Sequence, residues 1–122
     1  QDLNPKKMTR SIEIVYGLRN FIGNANKFSN KKIFIDLKSN TEITEIKIQD
    51  DGKGYPADIL SKIGEPYLKS FYNKSKTGLG LGIFIGKNLL EKNFASINCR
   101  NSKKTSGAEV IIKWDNTNLY KI

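Results

Sequence analysis

The sequence contains no histidine and only one cysteine, and each scarcity excludes a class of chemistry. Without histidine, the chain can supply no histidine general base, no zinc-binding imidazole and no phosphohistidine. One cysteine, Cys99, cannot form an internal disulfide, and a reducing cytoplasmic compartment is the simplest fit. Cys99 lies in a strand-like segment, where a lone cysteine is more often a small core residue than a redox switch.

Long apolar runs are missing as well. No stretch approaches the roughly 18 apolar residues that span a bilayer, and no signal peptide is visible. The chain begins at Gln1 and its only methionine is Met8, so we expect a piece of a longer protein, called the parent below. Its 122 residues suit one domain, and 38% hydrophobic with 27% charged residues fit a folded chain better than a disordered one.

Negative charge is scarce, because 21 lysines and arginines face 12 aspartates and glutamates, for a net charge of +9. Such an excess is compatible with nucleic acid, acidic lipid or phosphate-bearing ligands. The lysines are scattered, apart from one denser cluster in a loop. Because they form no stripe with interleaved aromatic residues, we expect a solvated surface and no nucleic-acid partner.

Hydrophobic periodicity predicts the order helix, two strands, short helix, loop, helix, two strands. The helices are predicted over residues 9–28, 57–64 and 80–93, and the strands over residues 32–39, 42–50, 96–100 and 108–114. In the first strand, Ile33, Ile35 and Leu37 are expected to point inward. One sheet with one apolar face, covered by a single helical layer, is the economical packing.

The segment NFIGNANKF, residues 20–28, carries the first candidate site. On a helix, Asn24 neighbours Asn20 and Lys27, so the three form one polar stripe. Taken alone, this stripe favours a solvent-exposed face. The functional interpretation is that Asn24 offers its carbonyl oxygen to Mg²⁺, which needs few protein ligands, while Lys27 meets phosphate charge.

The segment DDGKGYP, residues 50–56, carries the second. Alternation places Asp50 towards the core, where an unpaired carboxylate is costly. A ligand amino group, such as the exocyclic amine of adenine, would satisfy it. We expect Gly52 and Gly54 to let a flat base approach the main chain. The alternative is an ordinary Asp-Gly turn.

The segment TGLGLGIF, residues 77–84, carries the third. Gly78, Gly80 and Gly82 lie where a loop enters a helix, and main-chain N–H groups at a helix start favour an anion. We expect the absence of side chains to let phosphate oxygens reach those groups. Lysines of the preceding loop can add cationic contacts, although a solvated loop is nearly as good an interpretation of each one: they are Lys69, Lys74 and Lys76.

Together and in this order, the clusters resemble the ATP-binding catalytic domain of sensor histidine kinases, in the superfamily shared with gyrase, Hsp90 and MutL. The resemblance covers residues 11–114. NFIGNANKFS resembles the N box, DDGKG the first glycine box, GEPYLKS the F box and GLGLGIFIGK the second glycine box. More narrowly, EIVYGLRNFIGNA and the GEPYL…GLGLGIFIGKNLLEK segment are similar to RegB/PrrB-type kinases, which respond to redox state.

The resemblance implies an α/β fold of the Bergerat type, a two-layer sandwich with one mixed β-sheet covered by helices on one face. It implies an ATP-binding domain over residues 9–114, preceded by a lead-in over residues 1–8 and followed by a tail over residues 115–122. The cofactors implied are ATP and Mg²⁺.

The resemblance also assigns roles to residues. Asn24 is the implied metal ligand, Asp50 reads adenine, Lys27 contacts phosphate and Asn20 supports the metal and phosphate side. Phe28 stands where the family often has tyrosine, so a hydroxyl contact is lost and ring packing is kept. The remaining implied nucleotide contacts are Gly52, Gly54, Tyr67, Lys69, Lys76, Gly78, Leu79, Gly80, Leu81 and Gly82.

Related ATPases usually carry a glutamate four residues before the magnesium asparagine, and this chain has Asn20 there. Because asparagine is no general base, the sequence favours a histidine kinase over an ATPase. The implied acceptor is a histidine on a separate dimerisation domain of the parent, which passes the phosphoryl group to a response regulator. The domain is expected to be a cytoplasmic monomer and the parent a homodimer at the inner membrane. A nucleotide-binding regulatory module or an ATPase of the same superfamily is the alternative.

Overall fold

The computed structural model describes residues 5–63 and 79–119. The elements are α1 (Pro5–Phe28), β1 (Ile33–Ser39), β2 (Ile43–Asp50), α2 (Ala57–Ile63), α3 (Leu79–Lys92), β3 (Ser96–Asn101), β4 (Ala108–Asp115) and α4 (Asn116–Leu119). Every helix and strand predicted within these residues is present, and α1 begins four residues earlier than expected. The predicted loop over residues 65–77 lies outside the described residues. None of the helices described is both long and apolar enough to cross a membrane.

The described strands form one sheet in the order β1-β2-β4-β3, and all of its pairs are antiparallel. The expectation of a mixed sheet is therefore wrong in this detail. The reason lies in the connections: β1 and β2 form a hairpin, and the helical crossover after β2 delivers β3 in a parallel direction but one position away. β4 then returns by a second hairpin and inserts between β2 and β3, antiparallel to both.

The core lies between one face of the sheet and the layer formed by α1 and α3, which confirms the two-layer arrangement. Ile48, Val110 and Ile112 from the sheet are buried against Phe21 and Leu90 of the two helices, and each is at most 2% exposed. Two-period alternation in the strands and 3.6-residue periodicity in the helices produce these two apolar surfaces.

The expected burial of β1 is wrong for two of its three apolar residues. Ile35 and Leu37 pair with Ile48 and Ile46, so they lie on the helix-facing side of the sheet. They are nevertheless 53% and 69% exposed. The reason is that α1 contacts β2 and α3, and the described helical layer therefore leaves the outer part of this edge strand uncovered.

The first residues of the predicted tail belong to the folded structure, since Asp115 ends β4 and Asn116 begins α4. Asn116 is buried, its Nδ2 donates to the Asn40 carbonyl (2.6 Å), and its Oδ1 accepts from Thr44 Oγ1 (2.7 Å). These bonds close the end of the sheet at the β1–β2 turn. The boundaries at residues 9 and 114 stay a prediction.

Two glycines allow α1 and α3 to approach closely. A Cβ at Gly86 would lie 2.7 Å from Cε2 of Phe21 and 3.1 Å from the Gly17 carbonyl oxygen. A Cβ at Gly17 would lie 2.7 Å from Cγ of Leu90. Glycine is therefore required at this crossing by packing, although it weakens each helix.

We predict opposite effects for two Gly→Ala changes in helices. Gly86→Ala should lower the free energy of unfolding by about 1–3 kcal/mol, because the new methyl group meets the Phe21 ring in a filled core. Gly23→Ala, where the new Cβ meets no atom of the described residues within 4 Å other than its own helix backbone, should raise it by about 0.5–1 kcal/mol. Urea denaturation measures both values, and a shift of both variants in one direction would contradict the packing argument.

Asp51 attaches the connection between α1 and β1 to the end of β2. Its Oδ1 accepts hydrogen bonds from the main-chain N–H groups of Asn30 (2.9 Å), Lys31 (2.9 Å) and Lys32 (3.1 Å). These bonds, that of Lys31 above all, hold the pKa of the Asp51 carboxyl below its usual value. The interaction brings the end of α1 next to the turn that follows β2.

We predict a pH-dependent loss of stability in Asp51→Asn. Because folding lowers the pKa of Asp51, its contribution is fully present above the usual pKa of 3.8 and is lost as the pH falls through the lower folded value. The variant should thus be less stable than the wild type at pH 7, and the difference should shrink below about pH 4. Urea denaturation across this range measures it. Asp36→Asn, at an exposed position of β1, is the control, and an equal, pH-independent effect in both variants would contradict the assignment.

Candidate functional site

A cavity of about 200 Å³ opens between α1 and the end of the sheet where β2 finishes and β4 begins. Its walls are mostly apolar and hold a few polar groups, which is the usual composition of a small-molecule site. α1 contributes Phe21, Asn24, Ala25 and Phe28; the sheet contributes Ile48, Asp50, Ala108 and Val110; the turn after β2 contributes Lys53, Gly54, Tyr55 and Pro56.

Asp50 is the buried acid of this cavity, with 3% of its surface exposed. Its Oδ1 accepts hydrogen bonds from the main-chain N–H groups of Gly52 (2.9 Å) and Ala108 (3.2 Å). Among residues 5–63 and 79–119, no hydrogen bond to Oδ2 is found. Within the described residues, main-chain donors thus hold one carboxylate oxygen of Asp50, and the residue lines an apolar cavity.

Gly107 makes this position of Asp50 possible, and the sequence reasoning did not identify it. A Cβ at Gly107 would overlap the carbonyl oxygen and Oδ1 of Asp50. The start of β4 can therefore approach the acid closely enough for Ala108 to donate to it. The available signal is a glycine directly before an alternating apolar strand.

The glycines after Asp50 are required by contacts within the protein, and their expected role in approaching a base stays a prediction. A Cβ at Gly52 would overlap the carbonyl oxygen of Phe28, and one at Gly54 would lie 2.7 Å from Oδ1 of Asn101. Gly54 also has a φ of 82°, which disfavours residues with a side chain. The structure thus uses both glycines for close packing within the protein, and Gly54 also lines the cavity.

Asn24 lines the cavity from α1 and carries an unpaired buried group. Its Nδ2 is buried and has no hydrogen-bond partner in the part of the chain that the structure describes. Gly82 of α3 lies directly against it, since a Cβ there would lie 2.8 Å from both Nδ2 and Oδ1. The last glycine of the GLGLG run therefore makes room for the Asn24 amide, and the two predicted clusters meet here.

The start of α3 places main-chain N–H groups near this amide. The helix begins at Leu79, and its first four N–H groups have no intrahelical acceptor. Together with the helix dipole, these N–H groups favour an anion at this end of the helix. Those first four residues are Leu79, Gly80, Leu81 and Gly82.

Two predicted site residues of α1 lie outside the cavity lining. Asn20 uses its Nδ2 to donate to the Tyr16 carbonyl oxygen of the same helix (2.8 Å). Lys27 is exposed, with Nζ 5.2 Å from the centroid of the Phe28 ring, and that ring lines the cavity. Their roles stay predictions, as do those of residues outside the described ranges: Tyr67, Lys69, Lys74, Lys76 and Gly78.

Tyr55 and Cys99 are neighbours that the sequence reasoning did not connect. Tyr55 is 7% exposed and lines the cavity, and burial raises the pKa of its hydroxyl well above the usual value. Burial likewise raises the pKa of the Cys99 thiol to about 12, although the neighbouring Tyr55 hydroxyl opposes this. A protonated thiol that is half-buried and packed against the core is a poor nucleophile, which agrees with the expected core role of Cys99.

Known proteins share both the sequence and the fold of this chain. It is similar to the sensor histidine kinase RegB of Cereibacter sphaeroides (36% identity over 100 residues) and to the sensor protein kinase PilS of Pseudomonas aeruginosa (30% over 97 residues). The matches cover 76% and 74% of this chain but only 22% and 18% of those proteins. The chain therefore spans about a fifth of the curated relatives' length.

Two solved structures share the fold. The mycobacterial sensor histidine kinase MprB has a TM-score of 0.68 and 21% identity, covering 86% of this chain and 71% of that one. Full-length ShkA in complex with AMPPNP has a TM-score of 0.62 and 22% identity, covering 84% and 21%. The histidine kinase-, DNA gyrase B- and HSP90-like ATPase family matches residues 9–118. The chain belongs to this family of ATP-binding domains.

Proposed function

We propose that this chain is the ATP-binding catalytic domain of a two-component sensor histidine kinase. It binds Mg·ATP and transfers the γ-phosphoryl group to a histidine on a separate dimerisation domain of the parent, which then phosphorylates a response regulator. The observation that carries the proposal is the buried Asp50, with one oxygen fixed and the other available in an apolar cavity. The sensor histidine kinases among the relatives and the AMPPNP bound to ShkA support it.

Asp50 supplies base recognition in this proposal. Its available oxygen accepts a hydrogen bond from the exocyclic amine of adenine, and the apolar walls exclude water that would compete. A base with a carbonyl oxygen at that position places two acceptors against each other. Selectivity for adenine over guanine follows from this acceptor alone.

Asn24 fits a magnesium site at the phosphate side. Its amide lies against α3, and none of the described residues accepts a hydrogen bond from its nitrogen. The amide oxygen is a ligand type that Mg²⁺ accepts beside water and phosphate oxygens. The ion, when bound, neutralises phosphate charge. The first N–H groups of α3 bind the phosphate chain, and Lys27 adds a positive charge at the rim.

Transfer needs little acid–base chemistry from this chain. A neutral imidazole nitrogen attacks the γ-phosphorus, and the bond to the β,γ-bridging oxygen breaks, with its electron pair leaving on ADP. The protein positions the two reactants and stabilises the charge. Asn20 offers no base for activating water, and its amide nitrogen is bound to the Tyr16 carbonyl. This disfavours the ATPase alternative, and the retained Asp50 and Asn24 disfavour a regulatory module that has lost catalysis.

We predict that Asp50→Asn weakens ATP binding by roughly 10- to 100-fold, because a charged acceptor for the adenine amine becomes a neutral amide. Calorimetric titration measures the affinity. Asp58→Asn, at an exposed position of α2, should bind like the wild type. The triphosphate of purine riboside, which lacks the amine, should bind wild type and Asp50→Asn about equally. Unchanged ATP affinity in Asp50→Asn would overturn the base assignment.

We predict that Asn24→Ala removes the part of ATP affinity that depends on Mg²⁺ and reduces phosphoryl transfer to the level seen without the ion. Titrations with Mg²⁺ and with chelator give the first quantity. Labelling of the parent's dimerisation domain from γ-labelled ATP gives the second. Asn26→Ala, at an exposed position of the same helix, is the matched control. Phosphate release without any labelled histidine would favour the ATPase alternative.

A further inference from the structure

Asn101, the last residue of β3, holds the main chain of the turn that follows β2. Its Oδ1 accepts a hydrogen bond from the Tyr55 N–H group (2.6 Å), and its Nδ2 donates to the Tyr55 carbonyl oxygen (3.1 Å). One planar amide thus binds both main-chain polar groups of a residue 46 positions away in sequence. Two such bonds fix the orientation of that segment as well as its distance from the sheet.

The turn is shaped to accept this side chain. Gly54, directly before Tyr55, has a φ of 82°, and a Cβ there would lie 2.7 Å from Oδ1 and 2.8 Å from Cγ of Asn101. Both the backbone conformation and the contact require glycine at this position. Gly54, the second glycine of the DDGKG motif, therefore leaves the space in which the Asn101 amide packs.

β3 also contacts the other end of Tyr55. The Tyr55 hydroxyl lies near Cys99, which is two residues before Asn101 and thus on the same side of the strand. The edge strand therefore bonds the main chain of Tyr55 and lies beside its hydroxyl. Tyr55 and Gly54 form part of the cavity wall that also contains Asp50, whereas Asn101 does not line the cavity.

We propose that Asn101 is a positioning residue for nucleotide binding, which fixes residues 54 and 55 as a preformed wall for the purine base. The proposal rests on the proposed function, because the base is the ligand that this wall would contact. Without the two hydrogen bonds of the Asn101 side chain, the turn must become ordered when the base binds. The free energy of that ordering then lowers the affinity. The loss should affect ligands that contain a base and should spare ligands that contain only phosphates.

Asn101→Ala tests the proposal against Asn98→Ala, an exposed asparagine of the same strand. Asn101→Ala should bind ATP and ADP about tenfold more weakly, as expected for two lost hydrogen bonds that preorganise a site. Its affinity for Mg²⁺-tripolyphosphate should match the wild type, and Asn98→Ala should match the wild type for all three ligands. Asn101→Asp, of the same shape, keeps the acceptor for the Tyr55 N–H group and loses the donor. It should show the same selectivity and serves if Asn101→Ala unfolds.

Amide hydrogen exchange of Tyr55, measured by NMR without nucleotide, tests the two Asn101 hydrogen bonds separately from their effect on nucleotide affinity. Exchange should accelerate in Asn101→Ala and stay unchanged in Asn98→Ala. Accelerated exchange with unchanged ATP affinity would overturn the positioning role, and so would equal weakening for tripolyphosphate. Unchanged exchange in Asn101→Ala would show that the Asn101 amide does not hold the Tyr55 main chain. A wild type that binds no ATP would overturn the proposed function and this role together, whereas the other results overturn this role alone.

Discussion

The close contact between Asp50 and the start of β4 is the constraint on which the rest of the site depends. A carboxylate on the core side of a sheet is stable only if its oxygens have partners, and two main-chain N–H groups supply them on one side. Those donors can approach because Gly107 has no side chain. The acid is thereby held at the cavity by one of its two oxygens, and within the described residues no donor is found for the other.

In the helical layer, a glycine likewise makes room for a polar side chain, here the neutral amide of Asn24. Gly82 lets α3 lie against the Asn24 amide, and the close crossing of α1 and α3 at Gly17 and Gly86 sets the distance between the helices. Three close contacts that need glycine therefore shape the cavity. Gly107 lies against Asp50, Gly82 lies against Asn24, and the third contact is the crossing of α1 and α3. Asp51 connects the helical layer to the sheet, since its carboxylate binds the segment after α1 to the end of β2.

Sequence periodicity was sufficient for α1, α2, α3, the strands and the inward position of Asp50, because those depend on local alternation, whereas the single turn of α4 is too short to show a period. The antiparallel sheet and the exposure of Leu37 were not predictable in this way, since both depend on where the crossover places distant strands and helices. The motif glycines were recognised, but their partners were not. Gly54 packs on Asn101, and contacts between residues so far apart in sequence leave no periodic signal.

The central claim is that the second oxygen of Asp50 receives the exocyclic amine of adenine. A crystal structure of this chain with Mg²⁺ and a non-hydrolysable ATP analogue tests it most directly. The account predicts the adenine in the cavity between α1 and β4, with its amine about 2.7–3.2 Å from Oδ2 of Asp50. An analogue bound elsewhere, or a base whose amine faces away from this carboxylate, would contradict it.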